Sequence, residues 1–137
     1  MNSYILWFQF LSSFWMTSII WFVQIVHYPL FLELTKNSMA NYFKIHQSRI
    51  SYLVVPGMIL EALSCIILYE FIDLTLWIIL MSMICCIWLS TFMIQVPCHK
   101  KLLLVPNYRT INRLIVSNWI RTLLWTIKTL ILGVYLI

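Results

Sequence analysis

No Asp, Glu, Lys or Arg occurs before Glu33, so the chain opens with 32 residues that carry no formal charge. A bilayer core needs about 20 residues of helix to cross it. A soluble fold of 137 residues has too little polar side chain to cover such a run, because its surface must be largely solvated. The rest of the chain shares the bias: 63% of residues are hydrophobic and 9% charged, with a mean hydropathy of +0.93. The stretch lacks a basic leading region and a small-residue cleavage site, which predicts a retained helix rather than a signal peptide. The expected fold is all-α, one integral membrane domain over 1–137, with helices at about 4–32, 44–69, 74–99 and 108–137. Connections at 33–43, 70–73 and 100–107 are short, which predicts an up-down-up-down four-helix bundle.

Charge placement predicts orientation. Lys36, Lys44 and Arg49 form one basic cluster, and Lys100, Lys101, Arg109 and Arg113 form another, whereas the middle turn carries Glu70 and Asp73. Basic connections stay on the cytoplasmic side, so both termini are expected outside the cytoplasm, in a bacterial cytoplasmic membrane. The net charge of +5 then serves anionic lipid headgroups. No nucleic-acid partner is expected, because no basic-aromatic groove pattern accompanies the charge. The four cysteines have no C-x-x-C spacing and read as small hydrophobes.

Polar residues inside the apolar runs carry the functional signal, since ionisable groups in spans face the bundle interior or water. Gln24, His27 and Pro29 end the first run, and Gln95, Pro97 and His99 end the third. Their similar placement suggests two pseudo-repeated helical hairpins. On helical spacing, Asn118, Arg121, Trp125 and Lys128 share one face of the last helix. Cys85, Trp88, Phe92, Gln95 and His99 share a face of the third. Thr17, Gln24 and His27 or Tyr28 mark the first, and His46, Arg49 and Glu61 the second. At 1.5 Å per residue, His27, His46, Arg49 and His99 lie within roughly 10 Å of the basic side. Gln24, Gln95, Asn118 and Arg121 lie slightly deeper. Glu61 and Lys128 share a depth near the opposite face, which predicts an ion pair.

The candidate site is therefore a buried His/Gln/Arg cluster. Arg49, Glu61, Asn118 and Arg121 are the candidate catalytic residues. Gln24, Gln95, His27, His46 and His99 are candidates to bind a cofactor, the three histidines as metal ligands. A di-iron carboxylate centre needs several Glu, and Glu61 is the only acidic residue within the spans. A haem or a histidine-bound transition metal stays open, as does a small hydrophobic substrate. The alternative is a cofactor-free binding or scaffold protein whose polar groups join helices; a homo-oligomer is open in either case.

These residues resemble a family of short bacterial four-helix membrane proteins without assigned activity. The resemblance rests on Trp21 to Phe31, His46 with Arg49, Pro56 and Glu61. It continues through Trp88, Ser90, Thr91, Gln95, Pro97 and His99 to Asn118, Trp119, Arg121, Thr122 and Trp125. A narrower resemblance is to the HemJ-type protoporphyrinogen oxidases, small haem-binding membrane bundles. It lies in His27-Tyr28-Pro29-Leu30, in Arg49 running to Pro56-Gly57-Met58, and in Arg109 to Arg113. Leu30 stands where that family has arginine, and Arg113 where it has glutamate. This resemblance implies haem or tetrapyrrole binding and a redox activity. A third is to small anthrone-oxygenase-like membrane proteins.

Overall fold

The computed structural model describes residues 2–137, which are helical almost throughout and include no strand. Helix α1 is Asn2–Phe22, continued by a wide π turn at Val23–His27 and a tight 3₁₀ segment at Pro29–Glu33. Helix α2 is Lys36–Leu68 and α3 is Leu74–Ser90, the latter followed by a second π turn at Thr91–Gln95. Helix α4 is Val96–Leu104 and α5 is Tyr108–Leu136. These make four spans long and apolar enough to cross a membrane: Tyr4–Glu33, Asn37–Leu68, Leu74–Leu104 and Tyr108–Leu136.

Two expected connections are shorter than the sequence suggested. Residues 36–43 are the first turns of α2 rather than a loop, and 100–104 complete α4. Both stretches are polar because they stand at the ends of long helices, and polarity alone does not separate a helix end from a loop. The breaks before α3 and α5 are capped by side chains, whereas Thr35 before α2 makes no such cap. Asp73 accepts from the backbone N–H of Leu76 at 3.1 Å, and Asn107 from that of Thr110 at 2.8 Å, each satisfying an orphan donor of the helix that follows.

The burial pattern is that of a protein dissolved in lipid. Gln9, Ser13, Gln24, Glu61, Asn118, Arg121 and Lys128 are buried, while Leu11, Phe14, Trp15, Leu63, Ile66 and Leu130 are exposed. In water this arrangement would waste the apolar surface that drives folding. In a bilayer it turns the polar groups toward one another and away from hydrocarbon.

Three packed layers stack along the bundle. Val23, Tyr28, Phe31, Phe43, Leu102 and Leu114 fill one end; Met16, Ile20, Met58, Ile87 and Trp125 fill the middle; Leu6, Leu68, Leu80, Ile84 and Leu132 fill the other end. In the middle α1 and α2 touch closely at Gly57, where a Cβ would run into the Met16 sulfur.

The two π turns have one cause. Proline has no N–H, and its ring crowds the carbonyl four residues back, here those of Ile25 and Met93. The residue before each proline bonds five residues back instead: Tyr28 to Val23 at 2.9 Å, and Val96 to Thr91. Each widened turn absorbs an extra residue and shifts the phase of the face that follows. That shift corrects the face expected for the third span. Gln95 and His99 stay inside, but ahead of them the inward face is Ile84, Ile87 and Thr91, while Phe92 and Cys85 face outward.

Candidate functional site

The three histidines meet. The π turn at the end of α1 brings His27 against α2, where its Nε2 lies 2.7 Å from His46 Nδ1. On the other side of His46 stands the His99 ring, with centroids 5.6 Å apart. The His99 Nε2 lies 3.3 Å from the Tyr28 hydroxyl. Phe31, fully buried, packs edge-on against both His27 and His46 at 5.2 and 5.1 Å, fixing their planes. Two buried ring nitrogens in this row have no partner among the described residues: His46 Nε2 and His99 Nδ1. A buried polar atom left unpaired is costly, so these two mark where a further group belongs.

Contact between rings is not convergence of ligands. Among the described residues, no group of three or more His, Cys, Asp or Glu side chains is placed to hold a metal ion. The nitrogens are engaged in pairs, His27 with His46 and His99 with Tyr28.

Deeper in the bundle the amides and Arg121 form a second layer. Asn118 donates to Gln24 Oε1 at 2.7 Å, and Gln24 donates to the Ile115 carbonyl at 3.2 Å. Arg121 donates to Asn118 Oδ1 through Nε at 3.0 Å and Nη2 at 2.5 Å, and through Nη1 to Thr91 Oγ1 at 3.3 Å. Its guanidinium also lies over the Trp125 ring, 5.9 Å from the centroid. Gln95 donates to Ser117 at 2.9 Å, and its own carbonyl oxygen has no partner.

Glu61 stands in a different layer. Its Oε1 pairs with Lys128 Nζ at 2.6 Å, and its Oε2 accepts from the Trp125 indole at 2.7 Å. Lys128 also donates to Ser13 at 3.2 Å. The expected Glu61–Lys128 pair is present, with side chains 2% and 0% exposed. Trp125 links this pair to Arg121, so the polar interior is continuous from Ser13 to Thr91. Arg49 is exposed and takes no part in either layer.

A lateral groove between α1 and α2 adds the remaining geometry. It holds about 780 Å³ and is walled by Leu11, Phe14, Trp15, Phe22, Ile45 and Leu53, with His27, His46, Tyr42 and Arg49 at one end. Its walls face what the composition identifies as lipid.

Helical spacing alone had pointed to Asn118, Arg121, Trp125 and Lys128, and all four are buried on one face. It missed Thr91 and Ser117, and left Tyr28 as an alternative to His27. Both residues are in fact used, because the π turn projects consecutive side chains towards neighbouring helices. The signal available was the proline six residues after the start of each π turn. No known protein family, characterised protein or solved structure matches this chain.

Proposed function

We propose that the chain is a membrane-embedded redox protein that holds a flat, hydrophobic, carboxylate-bearing ring system of tetrapyrrole size in the groove between α1 and α2. The groove carries this reading. Its volume falls within the roughly 300–1,000 Å³ of small-molecule sites. It is almost wholly apolar, and its few polar groups gather at one end.

The residues fit a haem. A ligating imidazole is held through one ring nitrogen by a neighbour, leaving the other free. His27 has that form: its Nε2 meets His46 Nδ1, and its half-exposed ring lines the groove. In our assignment His27 donates through Nε2, so its Nδ1 keeps its lone pair and would be the ligand. The buried His46 orients it. Arg49, at the exposed lip, would pair with ring carboxylates, and Phe14, Trp15 and Phe22 would exclude water from the ring. When bound, haem would supply one-electron chemistry; the His27–His46 and His99–Tyr28 pairs could each hold a proton beside it.

The orientation stays that of the basic clusters: Lys100, Lys101, Arg109 and Arg113 on the cytoplasmic side of a bacterial inner membrane against anionic headgroups, with both termini outside. The spans run up-down-up-down as two related hairpins, each with a π turn ahead of its proline. A second reading is favoured by the Gln24–Asn118–Arg121–Thr91 bonds, which tie three spans together and suit a cofactor-free scaffold. Purification from membranes supplied with iron and haem precursors separates the two. The redox reading predicts a Soret band with about one haem per chain; a colourless preparation under those conditions sinks it.

A further inference from the structure

Arg121 presents an unresolved charge. The other buried cation, Lys128, has a carboxylate at 2.6 Å. Arg121 is 6% exposed; its acceptors among the described residues are neutral, Asn118 and Thr91, and the Tyr28 hydroxyl beside it is no carboxylate either. Those three bonds use three of the five guanidinium hydrogens. A desolvated cation without a counter-charge is among the most costly features a protein interior can hold, and it persists where function requires it.

The space in front of it is shaped. Arg121 lines a cavity of about 160 Å³ that shares a wall of Ile19, Val23 and Ile50 with the lateral groove. Met16, Ile20, Val54 and Met58 make its surface mostly apolar, with Tyr28, Gln47 and Ser51 among the polar groups. His99 and Gln95, 9% and 2% exposed, line the same cavity, and each has one buried atom without a partner. A cavity of ~150 Å³ admits a benzene ring, so this one has room well beyond a single inorganic ion. Its apolar walls call for hydrocarbon, and the guanidinium calls for an anionic oxygen, which it can bind with two parallel N–H bonds. Exposed Val55 and Phe92 stand at its edge between α2 and the third span, which gives entry from the bilayer.

We infer that this cavity binds a small carboxylate with an apolar body, its carboxylate on Arg121 and its hydrocarbon against Met16, Val54 and Met58. The carboxylate comes either from a free aromatic acid or from a fatty acid whose chain leaves between Val55 and Phe92. Neither source depends on haem in the groove.

The test uses the full chain in lipid nanodiscs, with the unfolding midpoint followed against benzoate, decanoate and the neutral benzyl alcohol. A ligand of the folded state raises the midpoint steadily with its concentration. Benzoate or decanoate is expected to do so and benzyl alcohol is not; the acid that works identifies the source. Arg121→Met should weaken the effect on the order of 30-fold or more, and Arg121→Lys should retain part of it. Val54→Trp fills the cavity without touching the guanidinium and should abolish it, which keeps the test decisive if Arg121→Met does not accumulate. No shift with either acid, an equal shift with benzyl alcohol, or a benzoate shift undiminished in Val54→Trp overturns the inference.

Discussion

Removing one member of the Glu61–Lys128 pair should cost far more than removing both. The two side chains are 2% and 0% exposed and lie 2.6 Å apart, with Trp125 and Ser13 completing their hydrogen bonds. Lys128→Met strands a carboxylate that keeps only the indole; Glu61→Gln strands an ammonium that keeps only neutral acceptors, the new amide oxygen and the Ser13 hydroxyl. Breaking a buried pair from one side costs about 3–5 kcal/mol, in line with the roughly 2.5–3.5 kcal/mol for placing one charge at a bilayer centre. The double variant leaves no charge behind. Replacing a buried pair by neutral groups of similar volume is often close to neutral, so its loss should be about 0–2 kcal/mol. The coupling is then at least about 4 kcal/mol, well above the roughly 0.5 kcal/mol scatter of independent sites. The assay is reversible unfolding in mixed micelles for wild type, both singles and the double, with membrane accumulation as a second readout. A double variant that loses the sum of the two singles refutes the reasoning. Glu61 would then be better treated as a proton-handling residue than as half of a structural pair.

Three further outcomes follow from the packing and the charge placement. Asn118→Leu removes the acceptor of two Arg121 bonds and the donor to Gln24, so unfolding measurements should register a loss of about 2–5 kcal/mol; a loss below 1 kcal/mol would mean the amide layer holds nothing together. Gly57→Ala should be close to neutral, because the flexible Met16 end can shift while the helix gains propensity. Gly57→Leu should force α1 from α2 and cost about 1–3 kcal/mol, and equal stability for the two variants would contradict the contact. In a cysteine-free background, a periplasmic thiol reagent should label Asp73→Cys and spare Asn37→Cys; the reverse pattern overturns the orientation.

How far the sequence carried is clearest at particular residues. The face Asn118, Arg121, Trp125 and Lys128 was legible because α5 is an unbroken α-helix, where spacing translates directly into direction. The meeting of His27, His46 and His99 was legible as equal depth, since depth needs only the rise per residue. Direction failed in the third span, where Phe92 was expected inside and Thr91 is. Proline at position 97 was visible, but a proline does not announce whether the helix will break, kink or widen into a π turn. The ends of α2 and α4 were misplaced because Lys, Asn and Ser residues suit a solvated helix end as well as a loop. Neither the groove nor the cavity below Arg121 could be read at all, since both arise from how four helices lean together.

The direct test of the central claim is a hemin titration of the purified chain in detergent, followed at the Soret band. Wild type should saturate at about one hemin per chain. His27→Ala and the groove-filling Leu53→Trp should each lose at least about tenfold in affinity, the range expected when a ligand or its support is removed. His99→Ala, whose ring does not line the groove, should bind as wild type does. Hemin binding undiminished in both His27→Ala and Leu53→Trp would contradict the account.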